Sequence, residues 1–328
     1  MAVTLRDIAL ASGVSRGTVD RALNGKGRIS PQTKEKIITI ANEMGYKPDL
    51  IARSLVKGRS MSIGVIVFDI LNQYFSQMVN AIGVEARNSG YSMEFMMQEK
   101  SKELEITLID TLIGRRTDGI ILCPVNKGLD FSAYLSTLPM PVVVVGNKLD
   151  DNLPFFGMDE YAAAKDATRM IADKGYERIV LICPSLNDTA TENIFVHEER
   201  RRGFMEAVTA RGLTNYEIID HWAYTKAAHA CLLRDKLRTA FFCSGDIFAL
   251  ELVNYLKEHG LVAPMDFGIM GFDGIDVLRY VSPRIATVCS PIEAIGVAAF
   301  EGIVSLVKKE AVAKQRLLPY SISEGESL

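Results

Sequence analysis

The chain has 328 residues, a net charge of −3, and 48% hydrophobic, 23% charged and 8% aromatic residues. That composition excludes the disordered, collagen-like and disulfide-scaffold classes, and apolar runs such as Ile63 to Phe68 fall far short of the ~18 residues of a membrane span. Five scattered cysteines without C-x-x-C spacing fit buried, reduced thiols. Residues 1–20 show no leader pattern, so a cytoplasmic protein without membrane contact is expected.

The total charge conceals an asymmetry. Residues 1–60 hold 11 Lys and Arg against 5 Asp and Glu, a surplus of +6, which leaves 26 against 35, or −9, for residues 61–328. A basic head on an acidic body is the pattern of a nucleic-acid-binding arm.

In chain order, Thr4-Leu-Arg-Asp7 has the form of a capping box with Asp in the acceptor place, and Leu5, Ile8, Ala9 and Ala11 or Ser12 follow at helical spacing. Gly13 ends that helix, and Ser15 caps a second from Arg16 to about Asn24 that buries Val19, Ala22 and Leu23. Asn24-Gly-Lys-Gly27 is a loop, and Ser30-Pro31 opens a third helix through Met44, closed by Gly45. Helix, tight Gly turn, helix is the arrangement that lays its second helix in the DNA major groove. The solvent-facing residues near the start of that helix are Ser15, Arg16, Gly17, Asp20 and Arg21; Arg16 and Arg21 suit guanine O6 and N7 or phosphate. Pro48 to Gly58 reads as one more short helix, below the ~12–15 residues that are even marginally stable alone, so it needs a burying partner.

Together, Thr4-Leu-Arg-Asp-Ile-Ala9, Gly13-Val-Ser15, Thr18-Val19, Arg21-Ala-Leu-Asn24, Ser30, Thr33, Gly45-Tyr46, Pro48, Ala52-Arg-Ser-Leu55 and Ser62-Ile-Gly64 closely resemble the lactose-repressor/galactose-repressor family of bacterial transcription regulators. The resemblance extends over nearly the whole chain. It implies DNA contacts by Thr4, Ser15, Arg16, Gly17, Thr18, Asp20, Arg21 and Asn24 in the first two helices. It also implies contacts by Arg28, Ser30 and Tyr46 beyond them, and by Ala52 and Leu55 in a hinge helix that forms on operator DNA. Leu55 would act there as a minor-groove wedge. Two residues depart from the family pattern: Asp20 stands where Ser is usual, and Gly17 occupies the second base-reading position. Asp20 repels phosphate but can accept from cytosine N4.

From residue 61 the pattern changes to short apolar strands alternating with helices. Strands are expected at Ser62–Phe68, Ser92–Met97, Gly119–Cys123, Val142–Gly146, 178–183, 217–221, 240–244 and 267–272, with helices between them. Nearly all-apolar strands of this kind belong to parallel sheets covered on both faces. The expected fold is α/β: an all-α helix-turn-helix head over 1–46, a hinge helix and linker over 47–60, and a two-lobed, periplasmic-binding-protein-like body of doubly wound sheets over 61–328. The first lobe is expected to comprise 61–160 plus 291–328, and the second 161–290.

Ligands of open α/β sheets bind outside the carboxyl ends of the strands. Those ends present Asp69, Tyr74, Phe75, Asp159, Arg200, Trp222, Asp246 and Asp273, a mixture suited to a sugar or another polyol-like or heterocyclic ligand. The resemblance places Arg200, Asp273, Trp222 and Phe75 at effector-contacting positions, while Asp159 and Asp246 also read as N-caps. Gly245 replaces the family's usual Asn, and Gly274 a frequent second Asp. The four histidines have no metal spacing, and no phosphate-cradling loop or nucleophile elbow is present.

The resulting expectation is a repressor without cofactor or metal, a homodimer on pseudo-palindromic double-stranded operator DNA, controlled by a small effector of the sugar class. A corepressor-dependent regulator of nucleoside or other non-sugar metabolism is the alternative within the family. A sugar-processing enzyme or a transport solute-binding protein is the alternative outside it.

Overall fold

The computed structural model describes residues 3–25, 27–47, 58–186 and 192–328. Ala52 and Leu55, with the rest of the expected hinge helix, lie outside the described residues. The chain forms two compact units, Met1–Ser60 and Met61–Leu328.

The head consists of α1 (Leu5–Ser12), α2 (Arg16–Asn24) and α3 (Pro31–Glu43). Each start is fixed by a side chain three positions ahead of the amide that it accepts from. Thr4 and Asp7 form the reciprocal capping box, Ser15 Oγ accepts from Thr18 N at 3.2 Å, and Ser30 Oγ accepts from Thr33 N at 3.2 Å with proline at N1. Gly13 adopts a left-handed φ of 73°, which only glycine takes without strain, and so turns the chain between α1 and α2. Ile8, Val19, Ala22, Ile37 and Ala41 meet in a small core of their own.

The body begins with β1 (Ser62–Val67), α4 (Gln73–Asn88), β2 (Ser92–Met97), α5 (Lys102–Gly114), β3 (Gly119–Leu122), α6 (Leu129–Ser136), β4 (Val142–Val145) and β5 (Phe155–Gly157). A second run follows: α7 (Glu160–Asp173), β6 (Arg178–Ile182), α8 (Phe195–Ala210), β7 (Tyr216–Ile219), α9 (Tyr224–Arg234), β8 (Thr239–Cys243), α10 (Asp246–Glu258), β9 (Gly268–Asp273), a 3-10 turn (Asp276–Tyr280) and β10 (Ala286–Cys289). The chain closes with α11 (Ile292–Val307), β11 (Gln315–Leu317) and β12 (Ser321–Ser323).

Two six-stranded sheets result, ordered β11-β5-β4-β3-β1-β2 and β12-β10-β9-β8-β6-β7. The pairings are parallel except for the antiparallel edge pair β10 and β12. Every residue of β1, β3, β4, β6 and β8 is buried, as sheets covered by helices on both faces require. The helix α11 crosses back to pack on α4, β3 and β4 of the first lobe.

The topology corrects one boundary. Residues 291–328 were expected in the first lobe as a block, but β12 pairs with β10 in the second sheet, and Ser327 Oγ there donates to Ile269 O at 2.6 Å. The last residues therefore tie the lobes together. Three- and four-residue strands such as β5, β10, β11 and β12 carry too few alternations to be seen as strands in the sequence.

Candidate functional site

On the head, Arg16, Gly17, Asp20 and Arg21 are exposed along α2, as is Arg28 beyond it. Arg21 Nε donates to Gly17 O at 3.0 Å, and Asn24 Nδ2 donates to Asp20 Oδ1 at 2.9 Å. This second bond lies along the exposed face of α2 and orients the carboxylate that the sequence marks as unusual. Thr4, Ser15 and Ser30 serve as caps, Thr18 bonds Ser15 through its hydroxyl at 2.9 Å, and Tyr46 packs against the head core.

In the body, the carboxyl ends of both sheets open on one cleft of about 440 Å³. Its first-lobe wall carries Phe68, Asp69, Tyr74 and Phe75. Phe75 stands edge-on to both Phe68 and Tyr74, with ring centroids 5.2 Å apart in each pair. Asp69 Oδ1 accepts from the amides of Leu71 and Asn72 at 2.8 and 3.0 Å, and Asn72 caps α4. That turn sets the two rings against the cleft.

The second-lobe floor is built around Arg200 on α8. Gly203, three residues further on, lets α8 approach α7: a Cβ there would fall 2.2 Å from Tyr161 O. The close crossing brings Arg200 Nε to Glu160 Oε2 at 2.8 Å, while Nη1 donates to Ser244 O at 2.6 Å and Nη2 to Asp273 Oδ1 at 3.3 Å. The guanidinium lies 3.5 Å from the centroid of the Phe272 ring. All three ionic groups are buried. Burial pushes the carboxyls of Glu160 and Asp273 upward, and the Arg200 charge opposes it. Asp273 also holds a left-handed φ of 111°, a strained conformation of the kind that clusters at ligand sites.

Asp159, Asp246 and Trp222 are placed elsewhere and are not among the residues lining the cleft. Asp159 caps α7, its Oδ1 accepting from Ala162 N at 2.8 Å. Asp246 is fully buried under the floor, where it accepts from Gly274 N, Ile275 N and Thr287 Oγ1 at 2.6, 2.9 and 2.7 Å. Trp222 is 89% exposed.

Other lining residues carried no expectation. His197 Nδ1 lies 3.2 Å from Ser244 Oγ; burial, with the positive charges of Arg200 and Lys100, lowers its pKa to about 3 and keeps the imidazole neutral. Burial pushes the Cys123 thiol up to about 12, which leaves it unreactive. Asn147 follows β4 at a strand end, where the rule that singled out Asp69 could have found it. His197 sits on a helix, and nothing local marks it.

Two sets of hydrogen bonds join the lobes beside the cleft. Asn147 Nδ2 donates to Asn193 O at 2.6 Å and its Oδ1 accepts from Val196 N at 3.2 Å. On the other side, Gln73 and Gln77 of α4 accept from the amides of Val277 and Asp276 at 3.0 and 3.2 Å. The turn that includes 276 and 277 begins three residues after Asp273, so the cleft floor and the first-lobe helix share one short stretch of backbone.

A helix-turn-helix head carried in one chain with a cleft between two doubly wound lobes defines a class, the DNA-binding regulators with a periplasmic-binding-protein-like body. The comparisons agree: residues 4–49 match the bacterial regulatory proteins of the lacI family, and residues 168–328 match the periplasmic binding protein-like domain. The chain is 31% identical to the HTH-type transcriptional repressor CytR of Escherichia coli K12 over 90% of its own length and 87% of the relative's. It is 28% identical to catabolite control protein A of Priestia megaterium over 100% and 99% of the two chains. The solved lac repressor dimer, bound to operator and the anti-inducer ONPF, superposes with a TM-score of 0.85 at 24% identity over 100% and 99% of the chains. The protein belongs to the lacI family of bacterial regulatory proteins and is a DNA-binding transcriptional repressor. Among the described residues, no helix is long and apolar enough to cross a membrane.

Proposed function

We propose that the chain represses transcription as a homodimer on a pseudo-palindromic operator, and that a sugar or sugar derivative held between the lobes controls its grip on DNA. The observation that carries this reading is the cleft itself, closed by hydrogen bonds from both lobes over an aromatic wall and a buried Arg200–Asp273 pair. The lac repressor structure that spans the whole chain is a dimer on operator DNA with a small ligand, which supports the same assembly here. In this reading α2 enters the major groove with Arg16 and Arg21 forward, and Leu55 wedges the minor groove beside its dimer mate. A ligand acts only if it favours one arrangement of the lobes, since equal affinity for both shifts nothing. Filling the cleft would strain or reinforce the contacts at Gln73, Gln77 and Asn147 and so bias that arrangement. The cleft is read as a sensor, which returns its ligand chemically unchanged, and not as an enzyme site.

The test has two arms. Full-length protein is first used to select binding sites from random DNA; palindromic sites whose affinity falls steeply with salt are expected, and Arg16→Ala should weaken binding about tenfold or more. Thermal melting with sugars, sugar phosphates, polyols and nucleosides then identifies ligands, which should change affinity for the selected DNA. Selection without any sequence preference would overturn the DNA reading, and a ligand that is consumed would overturn the sensor reading.

A further inference from the structure

Resting on the reading of α2 as the helix that each subunit of a dimer lays on DNA, Asp20 stands out as the residue that charge alone would keep away. It is exposed on α2 together with Arg16 and Arg21, and the phosphates that such a face meets accept hydrogen bonds and repel a carboxylate. Arg16 precedes Asp20 by one helical turn, the spacing at which opposite charges on a helix meet. Among the described residues, however, no ion pair involves Asp20, Arg16 or Arg21. The carboxylate is held by a neutral partner instead: Asn24 Nδ2 donates to Asp20 Oδ1 at 2.9 Å and to the Asp20 carbonyl at 3.0 Å.

Those two bonds use both hydrogens of the Asn24 amide. What remains unbonded among the described residues is Asp20 Oδ2 and Asn24 Oδ1, and both can only accept. The two arginines are the reverse. Arg21 Nε donates to Gly17 O at 3.0 Å, which leaves its terminal nitrogens, like the whole Arg16 guanidinium, as donors only. These four side chains therefore divide into a donor pair and an acceptor pair, and none has both kinds of group left to offer. In the major groove, guanine and thymine present only acceptors, adenine an acceptor beside a donor, and cytosine a donor alone. Against guanine, thymine or phosphate, the Asp20 and Asn24 oxygens meet further acceptors, and a carboxylate taken out of water without a donor is costly. Adenine is matched by an amide that donates and accepts at once, and the Asn24 amide has no hydrogen left. Cytosine N4 is the donor that suits this pair.

We propose that Asp20 is a specificity determinant of the head: its free Oδ2 selects cytosine at one position of each half-site, and Asn24 is the positioning residue that holds the carboxylate for it. The same carboxylate weakens the grip on DNA that lacks this cytosine, so selectivity comes from rejection as well as from contact. The experiment selects sites from random DNA with full-length wild type, Asp20→Asn, Asp20→Ser and Asn24→Ala. Fluorescence anisotropy then measures affinity for the wild-type site and for its single-base replacements. Asp20→Asn is the sharpest variant, because its Oδ1 can still accept from Asn24 while the free oxygen becomes an NH2 donor. Wild type should lose about tenfold or more in affinity when one particular cytosine of the half-site becomes guanine or thymine. Asp20→Asn should move the preference at that position toward guanine or thymine, and Asp20→Ser should reduce the discrimination there to about twofold or less. Both should leave the other positions unchanged and bind random duplex more tightly than wild type, because a negative charge has left the interface. Asn24→Ala should relax the same position alone; a uniform loss at every position would remove its positioning role. A cytosine preference that survives both Asp20 variants, or a loss that falls on all positions alike, would overturn the proposal and leave the DNA reading standing. If the wild type selects no sequence at all, the proposal fails together with the DNA reading.

Discussion

The head and the cleft of this protein are organised in opposite ways. In the head, each functional surface is set by contacts three or four residues apart: Thr4 with Asp7, Ser15 with Thr18, Asp20 with Asn24. Its core is five small or medium apolar side chains, and the charged groups along α2 stay in water. In the cleft floor, Arg200 is held by groups 40, 44 and 73 residues away, and Arg200, Glu160 and Asp273 are all buried. The head can present charge cheaply because water solvates it. The buried floor can hold charge only by pairing it, so Arg200, Glu160 and Asp273 serve one another as scaffold.

The contrast is broken most directly at Arg200. Arg200→Ala leaves Glu160 and Asp273 buried without a countercharge and should cost about 3–5 kcal/mol of body stability. Arg16→Ala on the head should change stability by no more than about 0.5 kcal/mol. Urea denaturation followed by circular dichroism compares the two, and similar losses would show that burial does not divide them.

Acid titration probes the same floor. The folded pKa of His197 is depressed from 6.5 to about 3, so its contribution is present above pH 6.5 and is lost as the pH falls toward 3. Glu160 and Asp273, raised by burial, act in the opposite sense: their contribution is present at low pH and is lost as the pH rises through their elevated folded values. Because the imidazole keeps an edge toward the cleft, Asn at 197 should reduce the loss of stability between pH 6.5 and 3 by about 2 kcal/mol. An unchanged acid limb would mean that His197 is protonated in the folded protein.

A smaller effect is expected where the lobes meet. Gln73→Ala with Gln77→Ala removes the acceptors of the 277 and 276 amides, at about 1 kcal/mol for each lost bond. Hydrogen exchange should then speed at those two amides while the β1 amides stay protected; equal protection at 276 and 277 would show that the glutamines hold nothing. The smallest effect belongs to the head, where Thr4→Ala should cost about 1 kcal/mol and appear as faster exchange at Asp7 and Ile8 without any change in the body.

These scales also explain what could be read from residues alone. The three head helices, their caps and the exposed face of α2 follow from signals within one turn of helix. The parallel strands followed from their unbroken apolar runs, and the strand-end rule pointed to Asp69, Tyr74, Phe75 and Asp273. The same rule pointed to Asp159, Asp246 and Trp222, which the structure uses as a cap, as a buried anchor of the 274–275 backbone and as an exposed ring. A position just after a strand says that a side chain is near the cleft but does not say which way it turns. His197 had no signal, because its burial and its contact with Ser244 depend on groups remote in the chain, although Arg200, one of the two charges that act on it, is only three residues away.

By itself, then, the sequence determined the division into a basic head and an acidic two-lobed body, the helix starts and the exposed polar face of α2. Those depend on charge counts, periodicity and hydrogen bonds that close over three or four residues. Only the tertiary structure decided that Arg200 is neutralised by Glu160 and Asp273 and that β12 returns to the second sheet. Each of these rests on groups brought together by the sheet topology from distant parts of the chain, and no local pattern records which partners a fold will bring within 3 Å of one another.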